Sequence, residues 1–194
     1  MIRKRYKFLG ALLLLLLLLL TVSGCIPTPF VRGSPLVTGT WDGNTFTNQW
    51  THITFELPAG FSALPRHARE RGRVDDFSIR SEYPRIVIGM DYIDVAHGTA
   101  SGYTAEYYLG IIQGSLLRSE TRNFTFSEDF EYVTIAGREY TIMRGAYTYK
   151  DDPADGAFHD VYAHRFVNTM MILITVYEDG AADIVDAFLA SIRN

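Results

Sequence analysis

Near the end of the chain, Met171-Ile172-Leu173-Ile174-Thr175-Val176 carries no charge and is apolar at both odd and even positions. Side chains alternate between the two faces of a strand, so such a segment needs cover on both sides. It is therefore expected to be a central strand of a sheet with further layers packed on each face. That one requirement excludes a small open hairpin and a sheet with one wet face.

The rest of the chain supplies the neighbours. Gly39 to Thr47 reads as a short hairpin, with Asp42-Gly43-Asn44 as its turn. Ile53, Phe55 and Leu57 alternate with Thr54 and Glu56, until Pro58, Ala59 and Gly60 stop the strand. From Arg85 to Val95, Ile86, Ile88, Met90 and Tyr92 alternate with Val87, Asp91 and Ile93. Short strands follow at Phe124 and Phe126, Phe130 to Ile135, Tyr140 to Tyr149, and Val161 to Val167. Arg66 to Arg73 is polar and reads as a loop or short helix. One helix is expected from Ala105 to Leu117, capped by Thr104, with Glu106 in its first turn. Its apolar stripe would be Tyr108, Ile111, Ile112, Ser115 and Leu116, and the spacing of Gly110 and Gly114 suggests close approach to a sheet. A closing helix from Ala181 to Ile192 shows Ile184, Val185, Phe188, Leu189 and Ile192 at helical spacing. Strand-strand turns outnumber crossovers, so the expected class is α+β: a mainly antiparallel sheet of about six to seven strands covered by helices, in one domain over 38–194.

The N-terminus has a different character. Arg3, Lys4, Arg5 and Lys7 precede nine consecutive leucines, Leu12 to Leu20. A charged start followed by an apolar run is a secretory signal. From Phe8 to Val22 the run is shorter than the roughly 20 residues that a spanning helix needs. Val22-Ser23-Gly24-Cys25 resembles a bacterial lipobox. The resemblance implies cleavage after Gly24, lipidation of Cys25, and a chain held by acyl groups on the outer face of the cell membrane. Two acyl chains give stable anchoring. Residues 1–24 are then the signal peptide. Residues 25–37, with Pro27, Pro29, Gly33 and Pro35, are a tether without a core of its own. In a bacterium with two membranes, Ile26 leaves the choice of membrane open.

Removing the signal takes away four positive charges and no negative ones, so the net charge falls from −4 to −8. So acidic a domain is a poor partner for nucleic acid. Its one cysteine is the lipidated one, so stability rests on burial and hydrogen bonding. The 12 Tyr, 12 Phe and 2 Trp of the whole chain, a few of them in the signal and tether, supply ample material.

Trp41-Asp42-Gly43-Asn44-Thr45-Phe46-Thr47-Asn48, followed by Ile53-Thr54-Phe55-Glu56-Leu57-Pro58-Ala59-Gly60-Phe61, resembles the opening of proteins in the PsbP-like sandwich superfamily. That group includes photosystem extrinsic subunits, a Ran-binding transport factor and many bacterial lipoproteins. The later order of helix, hairpins and terminal helix also fits, so the similarity spans 38–192. Phe61 stands where a tryptophan is common. The resemblance implies a PsbP-like α+β sandwich and a non-catalytic role in binding or assembling protein partners. It supplies no active-site residue.

No residue pattern argues strongly for chemistry. Asp151, Asp155 and Gly156 fit three positions of a calcium loop, but Pro153 and Tyr162 stand where ligands are needed. A solvated hairpin turn is the plainer reading. On a strand, His164 would share a face with Asp160 and Tyr162 while His159 points the other way, which works against a two-histidine metal site. There is no Gly-x-Ser-x-Gly elbow. The loop from His97 to Gly102 reads as a plain connection into the helix. No cofactor and no metal are expected. Candidate partner-binding residues are Arg66, Arg69, Arg71 and Arg73, whose guanidinium forks suit acidic groups, and Tyr103 and Tyr107. Internal salt bridges and core packing are the competing readings. The expected function is a membrane-tethered, extracytoplasmic binding or assembly module with an envelope protein as partner. The alternatives are an envelope hydrolase or metal enzyme built on His97, His159 and His164, and a solute-binding lipoprotein.

Overall fold

The computed structural model describes residues 36–66, 72–96 and 101–194. The signal, the lipobox of Val22, Ser23 and Gly24, and Cys25 lie outside the described residues. Among the described residues, twelve strands and two helices are arranged in layers. A three-stranded antiparallel sheet holds β1 (Thr40–Asp42), β2 (Thr45–Asn48) and β3 (Ile53–Glu56). The turn between β1 and β2 falls at Gly43, whose φ of 57° is the left-handed region that glycine adopts freely.

The large sheet has nine strands. Its path runs β4 (Phe61–Ala63), β5 (Arg73–Ser81), β6 (Ile86–Asp94), β12 (Thr169–Tyr177), β11 (Gly156–Phe166), β10 (Gly145–Tyr149) and β7 (Arg122–Phe126). The remaining two, β8 (Glu131–Ile135) and β9 (Arg138–Met143), pair with each other, and β9 also pairs with β11. All pairings are antiparallel. As the apolar run requires, β12 is central, between β6 and β11.

Each face of that sheet has its own cover. On one, Met171 and Leu173 of β12 join Ile88 and Met90, the small sheet's Phe46, Ile53 and Phe55, and Val185, Phe188 and Leu189 of helix α2 (Ala182–Ser191). On the other, Met170 and Ile172 join Met143, Val161, Ala163 and Leu109 of helix α1 (Ala105–Leu116). Thr104 caps α1, accepting the Tyr107 N–H at 3.2 Å.

Several expectations are corrected. There are twelve strands where about six to seven were expected. β4 and β5 were not foreseen as strands, and the strand expected from Tyr140 to Tyr149 is cut in two at Arg144, as β9 and β10. Registers locate the cut: Phe126 pairs with Gly145, and Glu131 with Ile142. Between these pairs lie residues 127–130 on one side but only Met143 and Arg144 on the other, so β7 and β8 are one strand interrupted by a two-residue excess. In α1 the buried residue is Leu109, with Ala105, Tyr108, Ile112 and Leu116 packed beside it, while Ile111 and Ser115 face out. Neither glycine marks a close approach. A Cβ on Gly110 would meet nothing within 4 Å, and one on Gly114 only Arg118 Nη1 at 3.8 Å.

Candidate functional site

The interruption of the β7–β8 strand re-aims side chains, as bulges often do near functional sites. Ser127 N–H donates to the Arg144 carbonyl at 3.0 Å, closing the ladder just before the excess residues. Gly145 sits directly beneath Phe126: an added Cβ would lie 2.6 Å from the ring and 3.0 Å from the His159 carbonyl. Only glycine lets the ring and the backbone come this close.

Opposite the bulge, β11 presents Asp160, which is 1% exposed. Burying a carboxylate requires donors, and three are present. Arg144 Nη1 donates at 2.7 Å, the Tyr177 hydroxyl at 3.0 Å, and the Gly145 N–H at 3.3 Å. Arg144 also reaches Glu131 through Nε at 3.2 Å and the Tyr162 hydroxyl through Nη1 at 3.4 Å. The cluster opens into a recess of about 490 Å³, whose walls include Phe158, Ser127, Ala182 and Asp186. Burial pushes the Tyr162 phenol up to about 12, helped by the Asp160 charge, and raises Tyr177 for the same two reasons. Both phenols are neutral at ordinary pH, Tyr177 donating to Asp160 and Tyr162 accepting from Arg144. The arrangement can orient and hydrogen-bond a ligand. It has no deprotonated phenol to act as a base.

A second surface lies on the opposite face of the large sheet. Tyr103 and Tyr107 pack with ring centroids 4.5 Å apart, and Tyr107 is 57% exposed. Arg165 fixes the approach to the helix, donating to the carbonyls of Tyr103 at 2.6 Å and Ser101 at 2.5 Å. Glu106 accepts from the hydroxyls of Thr141 at 3.3 Å and Tyr132 at 3.4 Å. Tyr132, 59% exposed, is thereby tied to the first turn of α1. Ile111 is also exposed, one turn beyond Tyr107.

The basic run behaves differently from the tyrosines. Arg66 donates to the Gly39 carbonyl, and Arg73 to Asp91 at 2.6 Å. Both arginines are thus engaged within the domain. Arg69, Arg71 and His97 lie outside the described residues. His159 and His164 point to opposite faces, as strand parity requires. His159 packs on Phe124 at 5.4 Å, and burial pushes it down to about 4. His164 Nδ1 lies 2.8 Å from the Glu139 carbonyl. Among the described residues no group of three or more His, Cys, Asp or Glu side chains could hold a metal ion. In the acidic turn, Asp155 accepts from Arg85 at 2.8 Å and Asp152 from the Ala154 N–H at 3.3 Å. Sequence reasoning missed Arg144, and weighed Asp160 only beside His159 and His164, never as the partner of an arginine. The available signals were a charged residue inside an apolar strand in each case, with Gly145 after the first.

Among the described residues no helix is long and apolar enough to cross a membrane. No family model matches the sequence, and no curated protein matches it. Solved structures do match. The solution structure of cyanobacterial PsbP (CyanoP) from Synechocystis sp. PCC 6803 superposes with a TM-score of 0.52 at 12% identity, covering 86% of this chain and 98% of that one. LpqN of Mycobacterium tuberculosis, described as involved in cell envelope biogenesis, gives 0.47 at 13% identity over 73% of this chain and 82% of that one. The first likeness, over nearly the whole of the smaller protein, establishes that the chain has a PsbP-like α+β fold.

Proposed function

We propose that this chain is a lipid-anchored, extracytoplasmic, non-catalytic module that docks an envelope protein on the outward face of α1. The observation that carries the reading is the aromatic cluster of Tyr103, Tyr107 and Tyr132 beside exposed Ile111. Tyrosine buries a large area at low entropic cost and is enriched in interfaces. Here the rings are held in advance by the tilted contact of Tyr103 with Tyr107 and by the hydrogen bond from Tyr132 to Glu106, which lowers the ordering cost of association. The lipobox at Cys25 and the tether supply the location. An enzyme reading built on His159 and His164 has less support, because the two side chains lie on opposite faces of the sheet.

Two measurements test this. Membrane fractionation of wild type and Cys25→Ala checks the anchor: the variant is expected to leave the membrane fraction. A photo-crosslinker at Tyr107, compared with one at Asn44 on the turn of the small sheet, checks the surface. The expected result is an adduct formed from position 107 alone and lost with Ile111→Glu. An adduct formed equally from both positions, or from neither, overturns docking through α1.

A further inference from the structure

We propose that the recess at the Arg144 bulge is a binding site for a neutral, polyhydroxylated ligand, a saccharide unit. It is independent of the docking surface, since α1 covers the other face of the sheet.

Charge decides the ligand class. Arg144 already faces the Asp160 carboxylate at 2.7 Å and, beyond the lining, that of Glu131 at 3.2 Å, and Asp186 is a second acid in the lining. An anion would meet two lining carboxylates and a guanidinium already paired twice. An amine would meet the Arg144 guanidinium beside a carboxylate that already accepts three hydrogen bonds, from Arg144, Tyr177 and Gly145. What remains is directional hydrogen-bonding capacity around a guanidinium whose charge is already balanced by Asp160 and Glu131. Nε and Nη1 of Arg144 make its bonds, and Nη2 makes none among the described residues. The Ser127 hydroxyl donates to the Asp129 carbonyl at 3.0 Å and keeps lone pairs for an incoming hydroxyl. A directional donor and acceptor of this kind suit alcohol groups.

The wall supplies the apolar half. Phe158 is 41% exposed and lies against Tyr177, ring centroids 5.3 Å apart and planes 22° from parallel. Tyr177 is in turn fixed by its bond to Asp160. A phenyl face held in one orientation fits the C–H face of a sugar ring. A concave site with an aromatic wall and a few converging polar groups is the usual composition of a small-ligand pocket. The recess is wide enough, at about 490 Å³, for one or two rings.

The test uses the full chain in polyoxyethylene detergent micelles, so that no sugar headgroup competes. Maltotriose, cellotriose and tri-N-acetylchitotriose are titrated by saturation-transfer difference NMR, with inorganic phosphate and putrescine as charged probes. At least one saccharide is expected to saturate. Raising NaCl from about 50 mM to about 500 mM should leave that affinity nearly unchanged, because no net charge is exchanged. Phe158→Ala is expected to weaken it about tenfold, the loss of one aromatic contact. Arg144→Lys, which keeps the charge but loses the fork, should weaken it as well. Near-ultraviolet circular dichroism confirms that each variant is folded. The proposal is overturned if no saccharide saturates, if only phosphate or putrescine binds, or if folded Phe158→Ala binds like wild type.

Discussion

Asp75 and Asp91 stand directly opposite one another on β5 and β6, two carboxylates facing each other across an antiparallel pair. Arg73 bridges them, 2.6 Å from Asp91 and 3.9 Å from Asp75. Burial pushes Asp91 up to about 6, the Asp75 carboxylate adds to the rise, and Arg73 pulls it part of the way back. Tyr108 of α1 lies close enough to feel both Arg73 and Asp91.

The pair makes stability fall as pH rises. The folded state keeps its proton up to about pH 6, whereas an unfolded aspartate loses it near its model value of 3.8. Stability from this group is present below the unfolded value and is lost between there and about pH 6. Asp75→Asn removes the opposing charge and should return Asp91 toward an ordinary carboxylate. The expected outcome is a gain of about 1–2 kcal/mol at neutral pH, with little change at pH 4. Melting temperatures over a pH series check it. An equal shift at both pH values would show that charge repulsion is not the cause.

His159 acts in the same window with the opposite sign. Burial pushes it down to about 4, helped by the nearby charge of Arg122. Its stabilising effect is complete above the unfolded value of 6.5 and is lost as pH falls toward about 4. Wild type should therefore show a shallow pH profile, because Asp91 and His159 oppose one another. Its Nδ1 is buried without a hydrogen-bond partner, so an apolar replacement loses no bond there. His159→Leu should leave the Asp91 slope exposed: stability should fall by roughly 1–2 kcal/mol between pH 4 and 6. Chemical denaturation at the two pH values measures it, and a profile as flat as wild type would refute the assignment.

Why β5 escaped a reading that found β6 is visible in its residues. Val74 and Asp76 are buried, and after the shift in register between Asp75 and Phe77 the buried positions become Phe77, Ile79 and Ser81. The bulge reverses the parity, so no period of two runs through all nine residues. It also turns Asp76 inward, where it accepts from Tyr92 at 2.5 Å, Gly39 N–H at 2.7 Å and Asn48 at 3.0 Å. A buried aspartate satisfied by three distant residues has no local signature. The same holds for Arg144 and Asp160, whose meeting depends on the excess residues at 127–130. What was legible was whatever depends on neighbours in sequence: the turn at Gly43, the Thr104 cap, the alternation of β6 and the two-faced β12. In α1, apolar residues occur on both sides of the helix, so periodicity chose Ile111 where Leu109 is the buried residue. Packing on β9 and β11 decides for Leu109.

Glycines provide a direct contrast between open and crowded positions. Gly110 lies in the middle of α1 with nothing near its absent Cβ. Gly110→Ala should stabilise by about 0.5–1 kcal/mol, the difference in helix propensity. Gly145→Ala places a methyl 2.6 Å from the Phe126 ring. It should destabilise by about 1–3 kcal/mol, because the ring must move aside and the His159 backbone carbonyl lies only 3.0 Å from the new methyl. Urea unfolding of both variants checks the pair. If Gly145→Ala proves neutral, the close packing at the bulge is not a constraint on this chain.

Removing Arg144 separates what the ion pair contributes from what its loss exposes. Asp160 is 1% exposed, so Arg144→Met leaves a buried carboxylate with only Tyr177 and the Gly145 N–H as donors. That change should cost about 3–5 kcal/mol. Asp160→Asn removes the buried charge but keeps one acceptor oxygen, which can serve Arg144 and Tyr177 or the Gly145 N–H but not both, so it should cost less, about 1–2 kcal/mol. The double variant is the informative one. With the carboxylate neutralised, Arg144→Met strands no charge, and the double variant should be more stable than Arg144→Met alone. A double-mutant cycle by urea denaturation measures the coupling. Near-zero coupling would mean that Arg144 and Asp160 act separately, and the recess would then owe its shape to the bulge backbone and not to this ion pair.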